Sequence, residues 1–208
     1  MEKLILEGRH VRLEPLELRH VDALTAASAV DPSLYQWSAV PVGQAAVQAY
    51  VETAMAAQMA GSAVPLAVVR RADGEVIGST RFFDLERWPW PVDHPQARRG
   101  MPDACEIGYT WYTKAAIRTG VNTEAKLIML THAFEVWQMA RVCLHTDERN
   151  ARSRAAMERL GCRFEGILRS HRLAVDLIPR NSARYSIVAA EWPETKARIE
   201  ALRAKYDG

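Results

Sequence analysis

The order of strand-like and helix-like segments is the feature of this sequence that most restricts its fold. Apolar and polar residues alternate in the strand-like segments, such as 10–16, whereas apolar residues recur at helical spacing in others, such as 44–59. The order is one strand, two helices, three strands, a helix, a strand, a helix, two strands and a terminal helix. It predicts an α/β (α+β) fold with a mixed sheet, antiparallel at hairpins and parallel where a helix crosses over.

Two connections between the predicted elements are distinctive. Asp73-Gly74 separates strands predicted over 63–70 and 76–84, and an Asp-Gly pair in this position is a strong β-hairpin signal. The segment 85–103 has no periodicity and contains four prolines, so it predicts a long loop. Loops of this length tend to be functional or mobile, and the sequence does not show which.

Length and composition predict an ordinary globular protein. The chain of 208 residues suits one domain, or one domain with an added terminal element. No apolar run approaches the roughly 18 residues that a membrane span needs, and the charged first ten residues contain no secretory apolar stretch. Cys105, Cys143 and Cys162 lack metal-ligand spacing, so we expect buried thiols in a reducing cytoplasm and neither disulfides nor structural zinc.

Charge is distributed unevenly along the chain, although the net charge is only +2. The segment 141–184 contains ten arginines and five acidic residues, whereas the remainder is net negative. So small a net charge does not favour nucleic-acid binding. The basic segment fits either an anionic small molecule or a solvated helix face, and charge alone does not decide between them.

A strand, a glycine-containing loop and a helix follow one another closely over 106–125. Such a connection aims free backbone N–H groups at one point, where phosphate oxygens bind well. Gly120 would allow close approach of the backbone, and Thr123 is the expected N-cap. The P-loop pattern and GxGxxG are both missing, which argues against ATP and NAD. A diphosphate cofactor held by backbone amides and an ordinary strand–turn–helix connection both stay open.

Five short motifs, in this order, are similar to those of the GNAT superfamily of N-acetyltransferases, and within it to the RimJ/RimL-like branch, which acetylates protein N-termini. The likeness runs from about Arg9 to Trp192, nearly the whole chain. The motifs are Glu106-Ile-Gly-Tyr109, Ile117-Arg-Thr-Gly-Val-Asn-Thr-Glu-Ala125, Asp147-Glu-Arg-Asn-Ala-Arg-Ser153, Arg159-Leu-Gly-Cys-Arg-Phe-Glu-Gly166, and Tyr185-Ser-Ile187 with Glu191-Trp192.

The resemblance implies a GNAT-type fold, with a mostly antiparallel seven-stranded sheet, splayed fourth and fifth strands, and helices on both faces. It implies an N-acetyltransferase domain over 1–192 and a C-terminal helical extension over 193–208. In this family the pantetheine arm of acetyl-CoA lies between the splayed strands, and a Q/R-x-x-G-x-G/A loop grips the pyrophosphate. The loop here matches at Gly120 but departs from the family pattern at Ile117 and Asn122.

The same resemblance implies which residues bind acetyl-CoA, and it implies no metal. Backbone groups of the fourth strand would pair with pantetheine, and Arg149, Arg152 or Arg154 would meet the 3′-phosphate, unless they only form a solvated helix face. The expected cofactor-binding residues are Tyr109, Thr110, Trp111, Arg118, Thr119, Gly120, Val121, Asn122, Thr123, Asn150 and Arg154. Asn150 is expected to hold pantetheine or the strand–helix turn.

Amide formation from an amine and a thioester needs a base, a polarised carbonyl and an acid. We expect Glu106 to be the base and a backbone N–H of the fourth strand to polarise the carbonyl. Ser153 occupies the position from which some RimL-like members protonate the departing thiolate. The alternatives are that an arginine merely holds Glu106, and that Ser153 caps a helix or only contacts the cofactor.

One departure from the branch concerns the base. Some RimL-like enzymes carry an acidic base on the sixth strand, and Arg172 occupies that position here. His171 beside it is a titratable alternative, although a single histidine is more often structural. Asp84, Glu86 and Asp176 are weaker candidates.

The acceptor site is the least readable part of the sequence. Several aromatic residues lie in segments that cover the acceptor side in this family, and they would suit an apolar or cationic amine. They would equally fold the long loop onto the core or form a homodimer interface. These residues are Tyr35, Trp37, Trp88, Trp90 and His94.

We therefore expect a cytoplasmic, acetyl-CoA-dependent N-acetyltransferase. The acetyl group would pass to a primary amine, either a protein N-terminus or a small molecule, by direct attack in a ternary complex. One alternative is transfer of another acyl group, such as succinyl. Another is a GNAT-like module that binds acyl-CoA without turnover. A third is an α/β protein whose motif matches are accidental.

Overall fold

Eight strands form a single sheet in the computed structural model of the protein, which describes residues 4–206. Residues 1–3 and 207–208, at the outer ends of the two predicted domain ranges, lie outside the described part. The strand order is β1-β2-β3-β4-β5-β6-β8-β7. The strands are β1 (Leu6–Glu7), β2 (Val11–Pro15), β3 (Ala63–Arg70), β4 (Val76–Glu86), β5 (Ala104–Tyr112), β6 (Arg141–Asp147), β7 (Arg163–Leu173) and β8 (Pro179–Val188).

The sheet has one strand more than the seven that were predicted. The additional strand is β1, in which Leu6 pairs with Leu13 of β2. Two residues are too few to show an alternating pattern, so no periodicity marks this strand in the sequence. The predicted mixed and mostly antiparallel class is confirmed, since among the strands of residues 4–206 only β5 and β6 pair in parallel. The family's fourth and fifth strands correspond to β5 and β6.

Five α-helices in the described part of the chain pack on the sheet, close to their predicted positions. The exception is the start of α3, which begins at Val121 with Gly120 as its N-cap, so the prediction of Thr123 as N-cap is wrong. The hydroxyl of Thr119 accepts a hydrogen bond from Val121 N (3.3 Å) and serves the helix start instead. The helices are α1 (Val21–Ala29), α2 (Gln44–Met59), α3 (Val121–Thr131), α4 (Ala151–Leu160) and α5 (Trp192–Ala204).

Strands β5 and β6 separate after a short parallel ladder. They pair only over Ala104–Glu106 and Arg141–Cys143, yet β5 runs on to Tyr112 and β6 to Asp147. Tyr109 has a positive φ of 51°, in a stretch where the pairing of β5 with β4 shifts register. The predicted splay is therefore present, and it leaves a gap in the middle of the sheet.

The apolar core lies on both faces of the sheet. The larger cluster includes side chains of α3 and α5, among them Trp192 and Ile199 of the terminal helix. The smaller cluster joins α1 and α2 to the other face. All three cysteines are buried and free, as predicted, and burial raises the pKa of Cys162 to about 12.

Glu124 fixes α3 to the edge of the sheet. Its carboxylate is buried and accepts hydrogen bonds from the backbone N–H groups of Arg9 (2.8 Å), His10 (2.7 Å) and Val11 (2.9 Å). A carboxylate in the first turn of a helix is also favoured by the helix dipole. Glu124 therefore holds the start of α3, and the loop that precedes it, in a defined position.

The long loop predicted over 85–103 starts after Glu86, the last residue of β4, and folds around one carboxylate. Asp103 accepts hydrogen bonds from Trp88 N (2.8 Å), Trp90 Nε1 (2.8 Å) and Arg99 Nη2 (3.0 Å). The ring of His94 stacks on Trp90 at a centroid distance of 4.5 Å. The tryptophans thus organise the loop itself. No helix within the described part of the chain is long and apolar enough to cross a membrane.

Candidate active site

A cleft of about 650 Å³ lies where β5 and β6 separate. Residues of both strands, of the loop before α3 and of α4 form its walls. Because β5 and β6 do not pair beyond Glu106, backbone groups on their facing edges are available to a ligand. This is the gap in which an extended polar arm could lie as an additional strand.

Glu106 occupies the point where the two strands diverge. Its side chain is only 6% exposed and lines the cleft. Arg172 Nη2 lies 3.3 Å from Glu106 Oε2, so the arginine contact that was weighed as an alternative is present. His145 Nδ1 lies 2.7 Å from the same oxygen, although neither ring nitrogen makes a well-directed hydrogen bond. Glu106 is thus a buried carboxylate that faces the cleft and touches two basic side chains.

Ser153 and Asn150 stand at the start of α4. The Asn150 side chain caps the helix by accepting a hydrogen bond from Ser153 N (3.1 Å). It therefore holds the strand–helix turn, one of the two roles expected for it. Ser153 does not cap α4 with its own hydroxyl, and its side chain lines the cleft. Within residues 4–206 no protein group bonds its Oγ, which leaves that hydroxyl available to a ligand.

The loop before α3 reaches the opposite end of the cleft. Arg118 adopts a left-handed conformation, with φ of 63°, and lines the cleft with Thr119 and Asn122. The N–H groups of the first helical turn have no partner within a helix, so they form a ready anion site. Gly120 packs closely on Tyr206. A Cβ added at Gly120 would lie only 3.0 Å from the Tyr206 side chain. The glycine therefore allows close approach of Tyr206.

The cleft brings together most, but not all, of the residues expected to bind cofactor. Those that line it are Tyr109, Thr110, Trp111, Arg118, Thr119, Asn122 and Asn150. Gly120, Val121, Thr123 and Arg154 do not line it. Thr123 Oγ1 instead accepts a hydrogen bond from Arg159 Nη2 (3.2 Å), and Arg159 itself lines the cleft.

The three arginines considered for the 3′-phosphate have different surroundings. Arg149 is bound to Asp147 (2.7 Å) and Asp176 (2.9 Å). Arg154 donates to the Tyr185 hydroxyl (3.1 Å) and does not line the cleft. Arg152 lines the cleft and donates to the Leu34 carbonyl (2.7 Å). Arg152 is thus the one of the three that faces the cleft.

Lys126 is a cleft residue that the sequence analysis missed. It is buried on α3, and its Nζ donates a hydrogen bond to Thr110 Oγ1 (2.7 Å) of β5. Burial lowers the pKa of Lys126 to about 7. The sequence contained one signal of this burial. Lys126 lies three residues before Met129, on the apolar face of the helix.

His145 is a second residue that the sequence analysis missed. Its ring packs against His171 at a centroid distance of 5.2 Å, and His171 Nδ1 lies 3.1 Å from Ser182 Oγ. Burial, and then the charge of Arg172, lower the pKa of His171. Both histidines line a smaller cavity of about 120 Å³ that also reaches Glu106. His171 is therefore not an isolated histidine, because it packs against His145.

The aromatic residues expected at the acceptor side divide into two groups. Tyr35 and Trp37 line the cleft, and the Tyr35 hydroxyl donates to the Tyr112 carbonyl (2.9 Å). The Arg149 guanidinium lies 4.2 Å from the centre of the Trp37 ring. Trp88, Trp90 and His94 belong to the Asp103-centred loop and do not line the cleft.

Comparisons with known proteins agree with this geometry. The family model described as "Acetyltransferase (GNAT) domain" matches residues 10–163. The curated protein YdaF of Bacillus subtilis, whose name describes a ribosomal N-acetyltransferase, is 35% identical over 91 residues. That alignment covers 44% of this chain, which thus spans about half the length (49%) of YdaF.

Solved structures are similar over nearly the whole chain. A GCN5-related N-acetyltransferase from Brucella melitensis is 29% identical with a TM-score of 0.82, covering 98% of this chain and 86% of that one. RimJ from Mycobacterium smegmatis, solved in complex with CoA-disulfide, has the same fold, with a TM-score of 0.73. It is 22% identical, and the match covers 96% of this chain and 93% of RimJ.

Proposed function

The chain belongs to the GNAT acetyltransferase family, and we propose that it transfers an acetyl group from acetyl-CoA to a primary amine. The observation that carries the proposal is the open gap between β5 and β6, which joins a buried carboxylate at one end to a helix N-terminus at the other. A thioester with a long polar arm and an anionic end matches this arrangement. The family model confirms the expected GNAT membership, and RimJ shares the fold.

The residues of the cleft fit acetyl-CoA in three places. Backbone groups of Tyr109 to Trp111 would pair with the pantetheine amides. The loop over Arg118–Asn122 and the first turn of α3 would hold the pyrophosphate. Of the three arginines considered for the 3′-phosphate, Arg152 is the best placed, since it lines the cleft and its charge has no carboxylate within 4 Å among the described residues.

Glu106 is the proposed base. An amine acceptor arrives mostly as an ammonium and must lose a proton before it attacks the thioester, directly or through one water. A buried carboxylate facing the cleft can accept that proton, and His145 and Arg172 fix its position. A backbone N–H of β5 would stabilise the negative charge that develops on the carbonyl oxygen.

Ser153 is the proposed acid for the departing thiolate. Its hydroxyl faces the cleft, and the cap that Asn150 provides leaves Oγ free for this role. Lys126 contacts Thr110 on the wall of the cleft, where it would steady β5 against the pantetheine arm. In this scheme both substrates are bound together, and the amine attacks the thioester without a covalent enzyme intermediate.

The acceptor is proposed as a protein N-terminus or a small amine. Support for a protein N-terminus comes from YdaF, whose name describes ribosomal N-acetylation. We also propose a cytoplasmic location, because the three free thiols suit a reducing compartment. A homodimer is proposed as the assembly, and light scattering of the purified protein would test it.

Calorimetric titration with acetyl-CoA, succinyl-CoA and dephospho-CoA tests the cofactor. We expect micromolar binding of acetyl-CoA that weakens when the 3′-phosphate is removed. Tighter binding of succinyl-CoA would favour the alternative acyl group. Thiol release on a panel of amines would then separate an enzyme from a module that only binds. No binding of any of the three compounds would overturn the proposal.

A further inference from the structure

Two arginines face each other across the β7–β8 ladder beside the proposed base. Arg172 and Arg180 are direct partners in the register of this antiparallel pair. Both side chains line the cleft. Like charges directly opposite on adjacent strands are destabilising, so the pair has a cost that an anion between them would relieve.

The charges of this pair are only partly balanced by the protein. Arg172 Nη2 lies 3.2 Å from Asp84 Oδ2 and 3.3 Å from Glu106 Oε2. Arg180 donates through Nε to Ser182 Oγ (3.0 Å), and within residues 4–206 its guanidinium has no carboxylate within 4 Å. Burial, and then the charge of Arg172, lower the pKa of Arg180. The outer nitrogens of Arg180 are therefore free to bind an anion.

The pair stands at the acceptor end of the cleft. Tyr112 lies six positions after Glu106 on β5, and the phosphate-binding loop follows beyond it. At strand spacing this is roughly 20 Å. The pyrophosphate of a cofactor on that loop would therefore lie far from the groups that Arg172 touches. An anion at Arg172 and Arg180 would belong to the second substrate.

We propose that Arg172 and Arg180 select an acceptor that carries an acidic group close to its primary amine. The inference rests on the proposed acetyl transfer. A carboxylate between the two guanidinium groups would make charge-assisted hydrogen bonds, and it would place the nearby amine next to Glu106. Two sources have this chemistry: a free amino acid, through its α-carboxylate, and a peptide whose first residues are acidic.

The test compares acceptors that differ in the charge they carry close to the amine. Peptides beginning Ser-Asp, Ser-Ala and Ser-Lys form one set, and glycine with glycinamide forms the other. Steady-state thiol release with saturating acetyl-CoA gives kcat/KM for each. We expect the acidic member of one set to exceed its neutral partner by about tenfold or more, which corresponds to one charge-assisted contact. The set that shows the preference identifies the source.

Substitution of Arg180 tests the assignment of the site. Arg180→Gln should remove the preference, and Arg180→Glu should favour the Ser-Lys peptide. Arg169→Gln removes a charge from an exposed position on β7 and is the matched control, expected to keep the preference. Arg180→Lys, which retains the charge, should keep part of it. Thermal melting of each variant establishes that it is folded.

Three results would overturn the inference. The first is equal kcat/KM for acidic and neutral acceptors, and the second is a preference that survives in Arg180→Gln. The third is a loss of acetyl-CoA affinity in Arg180→Gln, which would assign the pair to a cofactor phosphate. Failure of the proposed function looks different, since thiol would then be released with none of the acceptors.

Discussion

His145 Nδ1 and Glu106 Oε2 lie 2.7 Å apart, where β5 and β6 part. Both side chains are at least 90% buried, so little water competes with the contact. The ring nitrogens of His145 do not form a well-directed hydrogen bond with the carboxylate in this structure. Such hydrogen bonds often tighten only when substrates bind. We therefore assign His145 a positioning role, in which it fixes the carboxylate towards the acceptor amine.

Replacing His145 separates this role from a structural one. His145→Phe keeps an aromatic ring but loses both nitrogens, and we expect kcat to fall about tenfold with little change in the KM for acetyl-CoA. His145→Gln can still donate to Glu106 and should recover part of the rate. His94→Phe, in the loop over 85–103, is the control and should behave as wild type. A lower affinity for acetyl-CoA with unchanged kcat would contradict the assignment.

Substitutions of Ser153 and Asn150 should change different properties of the protein. The first should change the rate of catalysis, and the second should change thermal stability. Ser153→Ala should lower kcat about tenfold and leave thermal stability unchanged, because the Ser153 hydroxyl has no role in capping α4. Asn150→Ala removes the cap and should cost about 1 kcal/mol, or a few degrees in Tm. Kinetics and thermal melting on the same samples measure both. A destabilised Ser153→Ala with normal kcat would assign the serine to structure.

Lys126 should make stability depend on pH. The unfolded side chain keeps its proton up to about pH 10, whereas the folded one loses it near pH 7. Between these values the unfolded state binds more protons, so the free energy of unfolding should rise with pH by about 1.4 kcal/mol per unit from this group. Below about pH 7 both states are protonated, and the contribution should become constant.

Comparison with Lys126→Met isolates this effect from other titrating groups. Buried Cys105 has a raised pKa and acts in the opposite direction at high pH, but it is common to both proteins. Cys162, whose pKa is also raised, interacts with Lys126, but below about pH 8 its thiol keeps its proton in both the folded and the unfolded state. Urea unfolding at pH 7, 8 and 9 gives the difference between the two free energies of unfolding. The free energy of unfolding of the wild type should increase relative to that of the variant as pH rises. A difference that does not change with pH would show that Lys126 stays charged in the folded protein.

Local patterns predicted most of the elements. Helix α2 agrees with its 44–59 prediction because spacing and a following glycine define it within a few residues. The Asp73-Gly74 turn joins β3 and β4 as predicted, since the turn residues themselves determine the geometry. Such features depend on neighbours in sequence, and a single sequence contains that information.

The parts that could not be predicted depend on contacts between distant segments. The start of α3 is held by Glu124, whose partners are backbone groups near the N-terminus. His145 meets Glu106 only because two strands lie side by side in the sheet. Asp103 organises the long loop by accepting hydrogen bonds from Trp88 and Trp90, which lie 15 and 13 residues away in the sequence. None of these pairings has a local signature, so periodicity and turn chemistry do not reveal them.

The Glu106→Gln variant tests the central claim most directly. Glutamine has nearly the same shape and can still fill the site, but it cannot accept the acceptor's proton. Calorimetry with acetyl-CoA and single-turnover thiol release on the same preparation separate binding from chemistry. We predict unchanged acetyl-CoA affinity and a rate at least about a hundredfold lower. An unchanged rate would contradict the assignment of Glu106 as the base of an acetyl transfer in this cleft.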